Sequence, residues 1–366
     1  MISITDSMLF RLNILNKESA RISYQTSTGK ILENGSDNSI LYARQLFVSD
    51  KIRMYHGLTV QIEITNSQNS VGDATLTDLK SSIDSIKQEV LKASSTTSAD
   101  ESRKAIAKNV AGIRDRILDL VNTSAEGEYL FSGSDSTKVP FVKNSETGKI
   151  DYEGNGTLRK VAVDVNTYRQ RGITGLDVIM YDTDNSIGDN QITFKSDETI
   201  VDGGGMMWRL NSANTKLEQL NTDGQPVSPA KEISVTNNNG TYTASGVPSG
   251  TVLYVRHNFF DDIDGIITAL NNNDTAAISG MTEIVKKAYD QANIAQAELG
   301  GRNKIFQVSL ESAKTKKVHF EIMLQEVGGS DLSKLAVESK ALEMQYSALY
   351  SVIAKMNETS ILNYMN

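Results

Sequence analysis

The side chains that could do chemistry are few and scattered. The imidazoles are His56, His257 and His319, and no two stand at the His-x-x-x-His spacing that sets a pair of zinc ligands on one helix face. No cysteine is present, which removes thiolate ligands, cysteine nucleophiles and disulfides together. Gly203-Gly204-Gly205 could bend around a phosphate, but Met206, Met207 and Trp208 follow where a phosphate loop needs Lys and then Ser or Thr. The run reads as a tight turn. Asp261, Asp262 and Asp264 offer oxygens for calcium, yet they stand near a helix start, where the helix dipole favours negative charge without any ion. Lys314, Lys316 and Lys317 form a short basic run of the kind a solvated helix face carries. No motif localises a Ser-His-Asp set or an acid and base pair. Catalytic, cofactor and metal residues are therefore not expected, and neither is an enzyme.

Apolar surface, by contrast, recurs at regular spacing. Leu332, Leu335, Leu342, Tyr346, Leu349, Ile353 and Met356 fall on alternating three- and four-residue steps, and Met8, Leu12, Leu15 and Ile22 do the same near the start. That is the seam of a coiled coil. All four prolines, Pro140, Pro226, Pro229 and Pro248, lie between these ends. The expected fold is α+β: an elongated bundle of long, antiparallel N- and C-terminal helices with coiled-coil termini, interrupted by an inserted β-rich domain.

Composition agrees with that plan. Aromatics are only 6% of the 366 residues, lean for one compact globule and ordinary for extended helical packing. The net charge of -8 argues against nucleic acid as a partner, because phosphate binding needs a basic stripe. No apolar run exceeds four residues, whereas a membrane helix needs about 20, so no membrane partner is expected. The first ten residues contain neither Lys nor Arg nor an apolar block, and no cleavable Sec-type signal is expected.

Along the chain five segments are expected: a coiled-coil segment over 1–38, the first half of a helical rod over 39–132, a β-rich insert over 133–257, the returning half of the rod over 258–329, and a coiled-coil helix over 330–366. Glu33 to Asn38 is a polar break rich in turn and N-cap residues. From Ser39 the seam resumes and runs to about Ala93, with Arg44, Lys51, Thr65 and Asn69 interrupting it. Ser98 and Glu101 make a capping box ahead of a third stripe, Ile106 to Leu120. Between Gly133 and Arg256 lie 14 of the 26 glycines and the single Trp. Alternation at Val161 to Val165, Ile192 to Phe194 and Val252 to Tyr254 predicts strands there, and Trp208 to Leu220 carries a short helical pattern. Helix returns at Phe259 to Leu270, pauses at Asn271 to Asp274 and restarts at about Thr275. Gly300-Gly301 interrupts the pattern without ending it, while Gly328-Gly329 marks a break before the last helix.

With this layout in view, particular words become readable. Ser27-Thr28-Gly29-Lys30-Ile31 resembles the signature that closes the first helix of flagellin-type proteins. Gly127-Glu-Tyr-Leu-Phe131-Ser-Gly133, followed by Val139-Pro140-Phe141, is similar to the word that marks hook-filament junction proteins within the flagellin superfamily. Leu299-Gly300-Gly301-Arg302-Asn303 and the closing Ser360-Ile-Leu362-Asn-Tyr364 resemble that family's returning helix and ending. The family often has Asp-Asp-Pro after the first helix, and here Asp37-Asn38-Ser39 stands instead. Its acidic pair before the last helix is reduced to Asp331.

The resemblance implies an extracellular structural subunit of the bacterial flagellum, exported without a cleavable signal peptide through the flagellar type III channel. The partners it implies are neighbouring copies in a ring, a hook-associated protein on the hook side, flagellin on the filament side and an export chaperone at the C-terminal helix. The residues add a mechanism of their own. Between Ala341 and Asn366 the only charges are Glu343, Lys355 and Glu358, so apolar surface appears on more than one face, and a free surface helix normally keeps an extensive polar one. The expected mode of assembly is coupled folding of the terminal helices against each other and against adjoining subunits. The alternatives are a flagellin-type filament subunit and a surface-binding module displayed on a helical stalk.

Overall fold

The computed structural model describes residues 4–95, 100–183, 191–247 and 251–364. Within them the helices are α1 (Ile4–Thr28), α2 (Ser39–Ser94), α3 (Asp100–Val121), α4 (Gly175–Ile179), α5 (Phe259–Asn271), α6 (Thr275–Gly328) and α7 (Leu332–Tyr364). The strands are β1 (Ser124–Ala125), β2 (Glu128–Tyr129), β3 (Phe141–Lys143), β4 (Ile150–Tyr152), β5 (Lys160–Asp164), β6 (Thr167–Gln170), β7 (Met180–Asp182), β8 (Gln191–Lys195), β9 (Thr199–Asp202), β10 (Met207–Leu210), β11 (Lys216–Gln219), β12 (Glu232–Asn238), β13 (Thr241–Ser245) and β14 (Leu253–Asn258). The α+β reading, long helices at both ends around an antiparallel β-rich insert, is borne out.

Helix boundaries follow local chemistry. Gly29 ends α1 at φ +68°, a left-handed conformation that glycine adopts without Cβ strain. Asn38 caps α2, its Oδ1 accepting from the Leu41 amide at 3.0 Å. Asp274 does the same for α6 through the Ala277 amide, and Asp331 for α7 through the amides of Ser333 and Lys334. Gly300-Gly301 lies inside α6, and Gly328-Gly329 closes it. The Ser98 of the expected capping box and Pro248 lie outside the described residues.

The chain divides into two compact units, Met1–Thr59 with Ser312–Asn366, and Val60–Glu311. In the first, α1 packs on α7 around Ile22, Leu335 and Leu342. Tyr55 of α2 stacks on Phe320 of α6 with ring centroids 5.7 Å apart.

In the second unit α2 and α6 run antiparallel: a Cβ on Gly72 would stand 3.2 Å from Leu299 Cδ2, and Gln296 donates to Asp73. Thr65 and Asn69, which interrupt the seam in sequence, are buried within the unbroken α2. Thr65 satisfies its hydroxyl by donating to the Gln61 carbonyl one turn back. The main core joins α2, α3, α5 and α6 to α4 and to Phe131, Phe141 and Ile150.

The eight-stranded sheet is antiparallel, in the order β7-β14-β9-β10-β11-β12-β13-β8. Buried side chains of the sheet form a separate cluster around Phe194, Trp208, Leu217, Tyr242 and Val255, to which no helix contributes among the described residues. One expectation is overturned here: residues 208–220 form the β10–β11 hairpin, not a helix. Trp208, Leu217 and Gln219 are buried in two-residue alternation, and the Asn211 side chain accepts from the Thr215 and Lys216 amides to close the turn. Spacing across the turn imitated a helical step.

Candidate assembly surface

The first unit is closed by two turns from opposite ends of the sequence. Gln25 is buried beneath them and donates to the Ile31 carbonyl. The Ile31 amide donates to Gly328 O at 2.9 Å, the Ser330 amide to Gly29 O at 2.9 Å, and Lys30 pairs with Gly329 in an antiparallel bridge. The Ser330 hydroxyl adds a bond to the Gln25 carbonyl. Ser27, Gly29 and Lys30, the expected motif residues, are exposed; the backbone of Gly29 and Lys30 carries the clasp, and the Ser27 hydroxyl donates to the Tyr24 carbonyl.

Beyond the clasp the seam residues are not equivalent. Ile22, Leu335 and Leu342 are buried together, with Leu15 and Tyr346 packed against them. Tyr346 donates from its hydroxyl to Asn16 Oδ1 at 2.8 Å, and Arg21 bridges to Glu338 at 2.8 Å. Met8, Leu15 and Leu349 line an open groove with Ile14 and Val352. Leu12, Ile353 and Met356 are half-buried. Leu332 does not join them: it is the first residue of α7, one turn short of the cluster, and stays 58% exposed. Ser360 and Leu362 lie in α7, with side chains outside the described set.

Large apolar side chains remain uncovered on both helices. Leu9, Phe10 and Ile14 on α1, and Val337, Met344, Tyr350 and Val352 on α7, are each about half exposed or more, Val337 reaching 71%. Scattered exposed apolar residues are ordinary, whereas a run of them on paired helices makes this face the candidate assembly surface.

The remaining motif residues belong to the second unit. Gly127 lies in the two-residue turn between β1 and β2, and Phe131 is fully buried. Gly133 has φ +86°, and a Cβ there would stand 2.1 Å from the Asn155 carbonyl oxygen, so no other residue fits without moving the chain. Pro140 and Phe141 follow, both buried. The Asn122 side chain grips both backbone groups of Phe141 at 2.9 Å. Arg302 reaches from α6 to the Gly172 carbonyl at 2.8 Å. Gly300 is exposed, and Asn303 is half-buried.

Sequence reasoning passed over a charged cluster beside these residues. Glu128 accepts from both Arg159 and Arg171, and Gln68 of α2 donates to it at 3.1 Å. Burial would raise this carboxyl, but the hydrogen bonds from Arg159 and Arg171 outweigh it and hold it down at about 2. A depressed value contributes stability that is present above the ordinary 4.5 and is lost as the pH falls through the folded-state value. The gap in urea midpoint between the wild type and Glu128→Gln should therefore narrow as the pH falls from about 5 to about 2. A gap constant across that range would remove the ion cluster from the account. The position of Glu128 inside the Gly127 to Gly133 word was the signal that could have found it.

No group of His, Asp and Glu able to hold a metal occurs among the described residues. No helix there is long and apolar enough to cross a membrane. His257 and Asp262 meet, whereas the expected carboxylate group divides: Asp261 pairs with Lys149 and Asp264 with Arg114.

Residues 3–136 match the family described as the bacterial flagellin N-terminal helical region. The chain is also similar to proteins named as hook-associated. It is 27% identical over 188 residues to flagellar hook-associated protein 3 of Escherichia coli K12, a match covering 50% of this chain and 58% of that one. The protein of the same name from Salmonella typhimurium LT2 is 25% identical over 190 residues, covering 50% and 59%. The chain thus matches under two thirds of the length of these relatives. In fold it is similar to the crystal structure of Xanthomonas campestris FlgL, at a TM-score of 0.50 and 17% identity over 75% of this chain and 97% of that one. A putative flagellar hook-associated protein from Vibrio parahaemolyticus gives a TM-score of 0.55 at 15% identity, over 80% of this chain and all of the other. The resemblance read from the sequence words is borne out by these likenesses.

Proposed function

We propose that this chain is a structural adaptor of the bacterial flagellum, forming the junction between a hook-associated ring and the flagellin filament. The observation that carries this reading is the unfinished cover of the α1–α7 pair, where Leu9, Phe10, Met344 and Tyr350 stand in solvent beside a small buried seam. Each such side chain covered by a neighbour contributes about 1.5 to 3 kcal/mol, a gain that arrives only on assembly. The names of the relatives in Escherichia coli and Salmonella typhimurium support the flagellar setting.

In this reading residues 1–38 and 330–366 are the assembly segments, 39–132 and 258–329 the rod, and 133–257 an outer insert. The terminal helices complete their folding against neighbouring copies, against a hook-associated protein below and against flagellin above. Before export the C-terminal helix is held by a chaperone, and the chain works outside the cell.

Deleting the gene should leave hooks intact and release unpolymerised flagellin into the medium. Filaments of normal length on the deletion strain would overturn the junction role, and growth of long homopolymers by the purified chain would favour a filament subunit instead. For coupled folding, far-UV circular dichroism of the full chain and of residues 39–329 is the direct comparison. Equal helicity per residue retained would refute loosely ordered ends in the solitary molecule.

A further inference from the structure

At the edge of the eight-stranded sheet, Tyr181 of β7 stands opposite His257 of β14 in register, and both reach the first turns of α5. The Tyr181 hydroxyl donates to Asp262 Oδ2 at 2.8 Å. His257 Nε2 lies 3.1 Å from Asp262 Oδ1. One carboxylate, with a side chain only 10% exposed, therefore ties two neighbouring strands to one helix. Among the described residues the edge strand β7 pairs with β14 over three residues. We propose that His257, Asp262 and Tyr181 form a proton-operated clamp that fastens the β7–β14 edge of the sheet to the start of α5, tighter in acid than in alkali.

The charges around the imidazole favour its protonated form. Asp262 and Asp261 face it from α5, and Asp197 from the turn between β8 and β9. Lys149, from the turn between β3 and β4, stands against them but is engaged by Asp261 at 3.1 Å and Asp197 at 4.0 Å. Asp264 lines the same cleft and is paired with Arg114 at 2.7 Å. Glu198 acts on the Tyr181 phenol, and Arg256, on the strand beside His257, is taken up by Asp177 and Asp182. The bond to Asp262 raises the imidazole above its ordinary 6.5 against the opposing effect of burial. A raised value means that the stabilisation is fully present below 6.5 and is lost as the pH rises through the folded-state value. Above it, the neutral ring still bonds Asp262 but without the charge that strengthens the contact.

The test is carried out on the full chain with its histidines isotopically labelled, so that His56, His257 and His319 give the imidazole signals to follow. The His257 signal should titrate above the ordinary histidine range and return to it in Asp262→Asn. Hydrogen exchange of the β7 and β14 amides, taken as the ratio of wild type to His257→Gln, should show several-fold greater protection at about pH 5.5 than at about pH 8.5. Tyr181→Phe keeps every charge and serves if Asp262→Asn fails to fold: it should loosen β7 at both pH values while the raised His257 titration persists. An unshifted His257 titration, or an exchange ratio that is the same at both pH values, overturns the clamp.

Discussion

Replacing Leu342 with Asp should abolish incorporation at the hook tip, at least 100-fold below wild type, while leaving the β-rich insert folded. Leu342 is buried in an apolar cluster with Ile22 and Leu335, with Tyr346 alongside, and the neighbouring Arg21 is already engaged by Glu18 and Glu338. An uncompensated buried charge costs about 3 to 5 kcal/mol, and 1.4 kcal/mol is a factor of about ten in a binding constant. The sheet's own cluster draws only on residues 192–255, so its near-ultraviolet signal should persist. Leu342→Met, which keeps volume and polarity, should assemble within about tenfold of wild type, since such swaps cost under about 1.5 kcal/mol. Normal motility with Leu342→Asp would show that this seam has no part in assembly.

Phe141→Ala should act on the other unit. The ring is fully buried, 5.0 Å from that of Tyr152 and 5.6 Å from that of Phe260, and its backbone is pinned by Asn122. Removing a buried phenyl costs about 3 to 5 kcal/mol through lost transfer and the cavity left behind. For a unit of this size that lowers the thermal midpoint by roughly 10 °C. A shift under about 2 °C would mean that the site collapses around the gap, and that Phe141 does not hold the insert's root to the helices.

The long helices were legible because their signals are local and repeated: the seam at Leu335, Leu342 and Tyr346, the caps at Asn38 and Asp331, and the breaks at Gly29 and Gly328. The strands at 160–164 and 191–195 were legible from two-residue alternation. The β10–β11 hairpin was not, because four-residue strands carry too few alternations to outvote a chance helical spacing. Of the candidate surface, the apolar stripes could be read but not their division into buried and exposed members, since Leu332 and Leu335 are the same residue type one turn apart. The ion cluster at Glu128 escaped because its partners, Gln68, Arg159 and Arg171, come from three separate stretches. Distance along the chain conceals such groups, whereas a family word can flag one member.

The clasp joins Gly29 to Ser330 and Ile31 to Gly328 by backbone bonds. Translation delivers the first of these partners about 300 residues ahead of the second, at roughly 5 to 20 residues per second. Until the late partner emerges these bonds cannot form, and contacts this remote in sequence form slowly even afterwards. The closing of this clasp therefore trails the emergence of its first partner by roughly 15 to 60 seconds.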